Sequence, residues 1–558
     1  MKLRAPAYPL ITIDPYMSVW SMGDRLNAGT VRHWTGRDMP LDGLADIDGE
    51  TYVFMGDAGR LGLPGMEQTS VEVEAFATRY RFEAGGVELT AEFLSPVLPD
   101  DLQLLSRPVS YLRTAVRTTD GGAHRVAVTV RASEAFCLNE PGQCPVFAER
   151  ADAAPGVTTM RLYGQEQAVL GKAGDDRRID WGYFYLSVNG EREAGQMADP
   201  AGGNMRYVYV TAGLDTAGEA QALFTFAYDD VYSLTYFGKP LKSVWNQDGT
   251  TIGAAIARAY AEYVDVAERC RAFGETLTRE AAQAGGEEYA ELLLLALRQS
   301  IAAHKAAVDP EGKLLFVSKE CFSNGCAATV DVSYPSIPLF LLYNTELVKG
   351  MMRPIFRYAA QERWPFDFAP HDVGTYPILN GQVYGGGTDP RWQMPVEECG
   401  NMLVMLAAAQ AFGASEGLAR AYRPLLDKWV GYLVTYGEDP GEQLCFEEET
   451  PADSSTASES ASDAASASAA VEEEAGDKRL EALSTLLTAL DTAGMRGDVT
   501  RIEFADPEEM AFLYQGRISV LLGTLNELDY KLRLAKYVLL DEDGKGCSPT
   551  DTGMLDLS

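Results

Sequence analysis

The residues best suited to chemistry crowd between positions 319 and 401. They run Lys319-Glu320, Thr329-Val330-Asp331, Trp364-Pro365-Phe366-Asp367, Pro370-His371-Asp372-Val373-Gly374-Thr375-Tyr376-Pro377 and Met394-Pro395-Val396-Glu397-Glu398-Cys399-Gly400-Asn401. Carboxylates, a His, aromatic rings and turn-forming Gly and Pro occur together there, and sites are commonly built on loops held by a rigid scaffold. Asp372, beside His371 in a Pro-bounded loop, can act as general base towards water if burial lifts its pKa. The structural alternative is a carboxylate that braces the loop by accepting backbone N–H groups. Glu397 and Glu398 follow Met394-Pro395 at the expected start of a helix, where acidic side chains meet the helix dipole favourably without any catalytic duty. Being adjacent, they point to different sides, so one is expected to face a site and the other to brace a neighbour. Asp372, Glu397 and Glu398 are the candidate catalytic residues. Lys319, Asp331, Trp364, His371, Tyr376 and Asn401 form the candidate substrate-binding set. Lys319 offers charge to a substrate carboxylate, while Trp364 and Tyr376 offer faces for stacking, although core packing is the commoner use of such rings.

Other chemistries find no support in the residue pattern. Cys399 has no His beside it and reads as a buried structural thiol. None of the eight cysteines forms a CxxC pair and only four His are present, so no zinc site and no cofactor is expected. Tyr384-Gly385-Gly386-Gly387-Thr388 lacks the Lys of a phosphate-binding loop and reads as a plain loop. A Gly-x-Ser-x-Gly elbow is also missing.

The scaffold around these motifs reads as β first and α second. Ser70–Phe76, Tyr80–Phe82 and Val87–Phe93 alternate apolar and polar residues, with Ala84-Gly85-Gly86 as a turn. Tyr111–Thr118 and His124–Ala132 repeat the pattern around Asp120-Gly121-Gly122, and strands follow at Gly182–Val188, Arg206–Thr211 and Ala222–Ala227. Many short alternating strands with Gly-rich turns predict a large β-sandwich. From Ile252 the period becomes helical: Ile252–Ala284 ends at Gly285-Gly286, Tyr289–Val308 follows, and helices are expected at 336–349, 350–362, 396–412 and 416–435. Helices joined by aromatic loops after a sandwich suggest an α/α toroid with its site on loops at one end, a step taken by fold-level analogy. Residues 446–477 are Ala/Ser/Glu repeats with nothing to bury and read as a disordered acidic linker. After it, Leu480–Ala493, Val499–Phe504, Ala511–Tyr514, Arg517–Leu522 and Asn526–Leu540 read as helix, three strands and helix, a small α+β unit with a possible last strand at the C-terminus.

The chain of 558 residues carries a formal net charge of −34 and 46% hydrophobic residues. It can therefore build cores, while its acidity argues against nucleic acid or an anionic membrane surface as partner. No run approaches the ~20 apolar residues of a membrane helix, and no signal peptide is evident, so a cytoplasmic protein acting on a small-molecule substrate is expected. Between Trp429 and Asp477 there is no basic side chain at all, which concentrates the negative charge in the linker region.

Two resemblances cover different parts of the chain. Residues 1–437 resemble the glutaminase A family, through Arg4-Ala5-Pro6-Ala7-Tyr8-Pro9-Leu10, Asp14-Pro15-Tyr16-Met17-Ser18-Val19-Trp20-Ser21 and Arg32-His33-Trp34-Thr35-Gly36. The likeness continues in Tyr228-Asp229-Asp230-Val231-Tyr232-Ser233, Thr329-Val330-Asp331-Val332, His371-Asp372-Val373-Gly374 and the segment from Met394 to Met402. It implies a β-rich N-terminal part before a six-hairpin-glycosidase-like toroid, and hydrolysis of L-glutamine to L-glutamate and ammonia. Because the toroid is glycosidase-like, a glycoside hydrolase working through two carboxylates is the rival. The resemblance also implies that the toroid continues well past Gly437; here that continuation is absent, so the ring is expected to be incomplete and its activity impaired. Residues 478–558 resemble the C-terminal end of the FtsQ/DivIB cell-division proteins, through Val499-Thr500-Arg501-Ile502, Leu521-Leu522-Gly523-Thr524, Leu528-Asp529-Tyr530-Lys531-Leu532 and Leu555-Asp556-Leu557-Ser558. That likeness implies a non-catalytic, envelope-associated role and a chimeric chain. The expected layout is an N-terminal segment 1–60, a β-sandwich 61–250, an incomplete α/α toroid 251–437, a linker 438–477 and a small C-terminal fragment 478–558.

Overall fold

The computed structural model describes residues 4–217, 220–321, 323–437, 483, 485–503, 510–524, 528–539 and 553–557. The chain divides into two compact units, Met1–Glu449 and Thr450–Ser558. The expected acidic linker, 438–477, lies outside the described residues.

Alternation of side chains builds the first unit. In Val87–Leu94, Val87, Leu89, Ala91 and Phe93 are buried while Glu88, Thr90 and Glu92 face outward. The strand pairs with Ala77–Ala84 across Gly85-Gly86, both glycines at positive φ, as a two-residue hairpin requires. Eight antiparallel strands form one sheet, in the spatial order 146–151, 157–164, 183–189, 221–229, 109–118, 87–94, 77–84 and 67–73. Five form the second, ordered 193–198, 206–215, 125–133, 41–47 and 50–55. Val126, Val128 and Val130 of one sheet and Leu162, Phe184 and Phe226 of the other belong to the same buried core. Each fully buried aliphatic or aromatic side chain of this kind contributes about 1.5–3 kcal/mol. Leu41–Met55, assigned in sequence to a separate N-terminal segment, supplies two strands of the second sheet.

The helical part starts at α1 (Ile252–Gly285), whose cap Gly286 has φ 88°. It packs on the eight-stranded sheet, where Tyr111 Oη donates to the Ala259 carbonyl and Arg107 pairs with Glu262. Then come α2 (Glu287–Ala302), α3 (Val330–Tyr343), α4 (Thr345–Ala359), α5 (Pro395–Ala411) and α6 (Arg423–Tyr436). Three expectations are corrected here. The helix read over Tyr289–Val308 stops at Ala302, and His304–Val308 is instead a strand paired with Leu314–Ser318. The helices read at 336–349 and 350–362 divide at Asn344, which leaves helical geometry and caps α4 by accepting the Glu346 N–H. The segment 416–435 is broken at Tyr422, since Pro424 can only open a new helix. Among the described residues, Leu342, Val404, Phe412, Val430 and Val434 are exposed, leaving apolar patches on α3, α5 and α6 and just beyond α5.

The second unit has its own core of Leu486, Leu490, Met510, Phe512, Tyr514, Val520, Leu522, Leu532 and Ala535. Strands Val499–Glu503, Met510–Tyr514 and Ile518–Gly523 run antiparallel, and Gly553–Asp556 joins the third in parallel. A helix over 485–493 and α7 (Leu528–Leu539) accompany them. These elements follow the sequence pattern closely.

At the junction of strand 304–308 with the sandwich, Lys305 Nζ lies 2.7 Å from Asp14 Oδ2 and 2.8 Å from Asp230 Oδ2, with all three side chains buried. Burial, the largest influence on Asp14, favours its neutral form. The Lys305 charge and hydrogen bond, with the Met17 and Tyr16 amides, outweigh it and hold the pKa below the ordinary carboxylate value. A depressed pKa stabilises the fold above the unfolded-state value near 3.9 and loses that contribution as pH falls through the folded value. Lys305→Met strands two buried carboxylates, and the expected cost is about 3–5 kcal/mol, read as a lower denaturant midpoint by tryptophan fluorescence. An unchanged midpoint at neutral pH would remove the triad from the determinants of stability.

Candidate active site

Two helix N-termini and one loop converge on a carboxylate cluster. Asp331 sits in the first turn of α3 and Glu397 and Glu398 in the first turn of α5. Between them runs the loop 360–394, folded around Asp372. This carboxylate is fully buried. Its Oδ1 accepts from Gly374 N at 2.8 Å and Val383 N at 3.0 Å. Its Oδ2 accepts from Tyr384 N at 3.0 Å and meets His371 Nδ1 at 3.0 Å. Gly374 has φ 139°, and a Cβ there would fall 2.1 Å from the Ile378 carbonyl oxygen, so the turn needs glycine. Gln382 ties the same loop by accepting the His371 N–H and donating to Gly387 O and Gln393 Oε1.

The geometry corrects the first of the catalytic expectations. Every favourable direction around Asp372 is occupied by a donor, so it is a positioning residue and not a base open to water. Its work is to fix His371, whose ring also stacks on Tyr384 at 4.1 Å between centroids. His371 Nε2 then faces Asp331 Oδ2 at 3.8 Å, and Glu398 completes a group whose ligand-type atoms lie within 4.8 Å of one another.

Glu398 is the unusual member. It is completely buried, and neither carboxyl oxygen has a hydrogen-bond partner. Burial first, and then the negative charges of Asp331, Glu397, Asp372 and Glu320, raise its pKa well above the ordinary carboxylate range. An unpartnered ionised carboxylate in such a place is costly, which favours the neutral acid. Asp331 is partly exposed, with a buried Oδ1 that lacks a partner. Burial, followed by repulsion from Glu320 and Glu397, raises its pKa despite the opposing effect of His371. Burial works against a charged His371, but the Asp372 hydrogen bond and charge, with Asp331 and Glu320, together raise its pKa above the usual value.

The structure thus brings together Asp331, His371, Asp372 and Glu398, with Glu397 half-buried beside them and Asn401 three residues further along α5, on the side of Glu398. Three of the expected binding residues lie elsewhere. Trp364 is buried among Phe366 and Phe368 and donates to the Phe368 carbonyl. Tyr376 is fully buried, edge-on to Tyr16. Both are core rings, as volume and apolar surroundings favour. Lys319 donates to the Asp175 carbonyl at 2.6 Å and lies 4.9 Å from the Trp34 ring, and burial lowers its pKa to about 8. Its partners are Trp34 and the loop residue Asp175, whose Oδ1 also lies 3.8 Å away. Cys399 is buried and accepts the Ala369 N–H, the structural role read for it. Sequence reasoning placed Glu320 among the chemistry-bearing motifs without a role, and here it accepts from Thr329 Oγ1 at 3.0 Å; it set Tyr384 aside with its glycine loop. A cleft of about 880 Å³, lined by Glu74, Arg79, Glu92, Tyr263 and Arg271, does not include this cluster. Arg79 there pairs with three glutamates, Glu72, Glu74 and Glu92.

Comparison with known proteins agrees with the helical part. Residues 286–525 match the family described as the glutaminase A six helical-hairpin domain. Residues 77–213 and 1–62 match two domains of unknown function, DUF5127 and DUF4964. Glutaminase A of Aspergillus oryzae is 29% identical over 481 residues, covering 79% of this chain and 68% of the relative. A protein of Arthroderma benhamiae called "Probable glutaminase" is 23% identical over 465 residues, covering 72% of this chain and 52% of its own length. The chain therefore spans about half the length of the second relative. A gh92 family glycosyl hydrolase structure is 11% identical over 77% of this chain and 58% of its own, with a TM-score of 0.35, an overlap that carries no argument about function. The matches support the glutaminase A family: a sheet-rich N-terminal part followed by a six-helical-hairpin domain. The hairpin match runs to residue 525, across the expected linker and into the segment read as FtsQ/DivIB-like.

Asp372→Asn keeps the size of the side chain and removes its charge. We expect the His371 pKa, followed by NMR through the ring proton shifts, to fall in this variant; an unmoved titration would show that Asp372 does not set the ring's charge.

Proposed function

We propose that this chain is a glutaminase-type hydrolase that cleaves the side-chain amide of L-glutamine at Asp331, His371 and Glu398. The observation that carries the reading is the buried, unpartnered carboxyl of Glu398 beside a second carboxylate that reaches solvent. Asp331 takes a proton from water as the hydroxyl oxygen adds to the amide carbon. Glu398 then gives its proton to the departing nitrogen, the C–N bond breaks, and glutamate and ammonia leave. Asp372 holds His371 so that Nε2 stays beside Asp331. Positioned acid–base groups of this kind contribute about 10²–10⁴-fold each. Glu398→Gln and Asp331→Asn should each lower kcat/KM for ammonia release from glutamine by about 100-fold or more; turnover within a few-fold of the parent in either variant would exclude that residue.

A retaining glycoside hydrolase is the second reading, and the spacing favours it over an inverting one. Asp331 and Glu398 approach within 4.8 Å, near the roughly 5–5.5 Å of retaining pairs and short of the 6.5–9.5 Å that inverting enzymes need for water. Nitrophenol release from a panel of nitrophenyl glycosides, beside ammonia release from glutamine, separates the two.

A further inference from the structure

His371 is arranged as metal-ligating histidines are. One ring nitrogen, Nδ1, is engaged by a carboxylate, Asp372 Oδ2, at 3.0 Å, and that carboxylate is itself fixed by three backbone amides. A carboxylate behind a histidine sets the tautomer and leaves the other nitrogen as a lone-pair donor. Here Nε2 faces Asp331 Oδ2 at 3.8 Å, with a Glu398 oxygen inside the same 4.8 Å group. Independent of the acidity of the cluster, three oxygens are buried without a hydrogen-bond partner: Asp331 Oδ1 and both oxygens of Glu398. Among the described residues, Asp331 forms an ion pair only with His371, and no Lys or Arg pairs with Glu398.

We propose that Asp331, His371 Nε2 and Glu398 form a site for one divalent transition-metal cation of the zinc class, which competes with hydrolytic use of the same carboxylates. One imidazole nitrogen and two carboxylate oxygens suit such an ion, whereas calcium and magnesium prefer all-oxygen shells. Zinc holds nitrogen and oxygen at about 2.0–2.2 Å, so tetrahedral neighbours stand roughly 3.4 Å apart. The observed 3.8 Å closes to that with a small movement of Asp331, the most exposed of the three. The adjoining Cys326–His371–Asp372 group cannot serve instead, because Asp372 has no oxygen direction left. A cation on Asp331 and Glu398 takes both groups out of acid–base use, so the loaded form is the slow form; this half rests on the function proposed above.

The test is calorimetric titration of the full chain, stripped with a chelator, with Zn²⁺, and of its Glu398→Gln, Asp331→Asn and Asp372→Asn variants. One zinc per chain is expected, with affinity at least tenfold weaker in the two ligand variants and 10–100-fold weaker in Asp372→Asn. Far-UV circular dichroism melts of the three variants identify any that fail to fold, and Co²⁺ bands in the visible spectrum report the nitrogen–oxygen shell in those that do. No binding, or binding that Glu398→Gln and Asp331→Asn leave unchanged, would overturn the site. Glutamine turnover is followed in the same samples. Undiminished turnover at saturating Zn²⁺ would overturn the competition. A chain that binds zinc at this site yet releases no ammonia from glutamine even in its chelator-stripped, metal-free form would sink the glutaminase reading and leave the site standing.

Discussion

Lys305 lies inside the first unit with its ammonium shared between Asp14 and Asp230, and the placement of the site follows from that contact. Three stretches of chain far apart in sequence meet there: the N-terminal turn, the end of the last sandwich strand and the first strand after α2. Ser233 Oγ also donates to Asp230 Oδ2, and Trp181 Nε1 donates to the Asp230 carbonyl. Just beyond Asp230, Leu234–Tyr236 pairs in parallel with Ile378–Leu379. Tyr16, from the turn that holds Asp14, packs edge-on against Tyr376. The loop that carries His371 and Asp372 is thus hung on the ion triad. Removing two carboxylates and an ammonium from water is expensive and is offset only by close pairing and further hydrogen bonds, so the geometry of the junction has little freedom.

The carboxylates of the site divide into two kinds by the number of donors they meet. Asp372 meets four and organises its surroundings. Glu398 meets none, and burial and its neighbours' charge favour its neutral form. Both are completely buried, so depth alone does not separate them. The supply of backbone amides does, because the turn at Gly374 and the reversal at Val383-Tyr384 point their N–H groups at Asp372. The start of α5 turns Glu398 away from its own first-turn amides and into the cluster.

Much of the fold was legible from period and turn chemistry. Most strands of the sandwich from 67 onward, the capped helix α1 and the strand and helix pattern of the second unit have local signals strong enough to place them, whereas Val146–Ala151, Val157–Gly164 and Glu193–Ala198 go beyond the strands expected from sequence. Misreadings came where tertiary partners outweighed local pattern. His304–Val308 continues an apolar helical run in sequence but pairs with Leu314–Ser318, and Leu41–Met55 finds its partner strand near Val128, about eighty residues away. In the candidate site, the acidic and Gly/Pro motifs lie on segments that meet around Asp372, and the neighbours Glu397 and Glu398, expected to point to different sides, are half-buried and buried respectively. Sequence could not rank Asp372 against Glu398, since both are simply carboxylates beside plausible partners.

Sequence by itself determined the kinds of element, the order of sheet before helix and the neighbourhood of the chemistry, because these depend on side-chain period, on glycine and proline, and on which residue types occur close together. Tertiary structure alone decided which oxygens are satisfied. It packed Trp364 and Tyr376 into the core, set Lys319 against Trp34 and Asp175, and gave Asp372 its amides while leaving Glu398 without any. Hydrogen-bond satisfaction and desolvation are properties of position in three dimensions, and they separate the carboxylate that backbone amides hold from the one that no donor reaches.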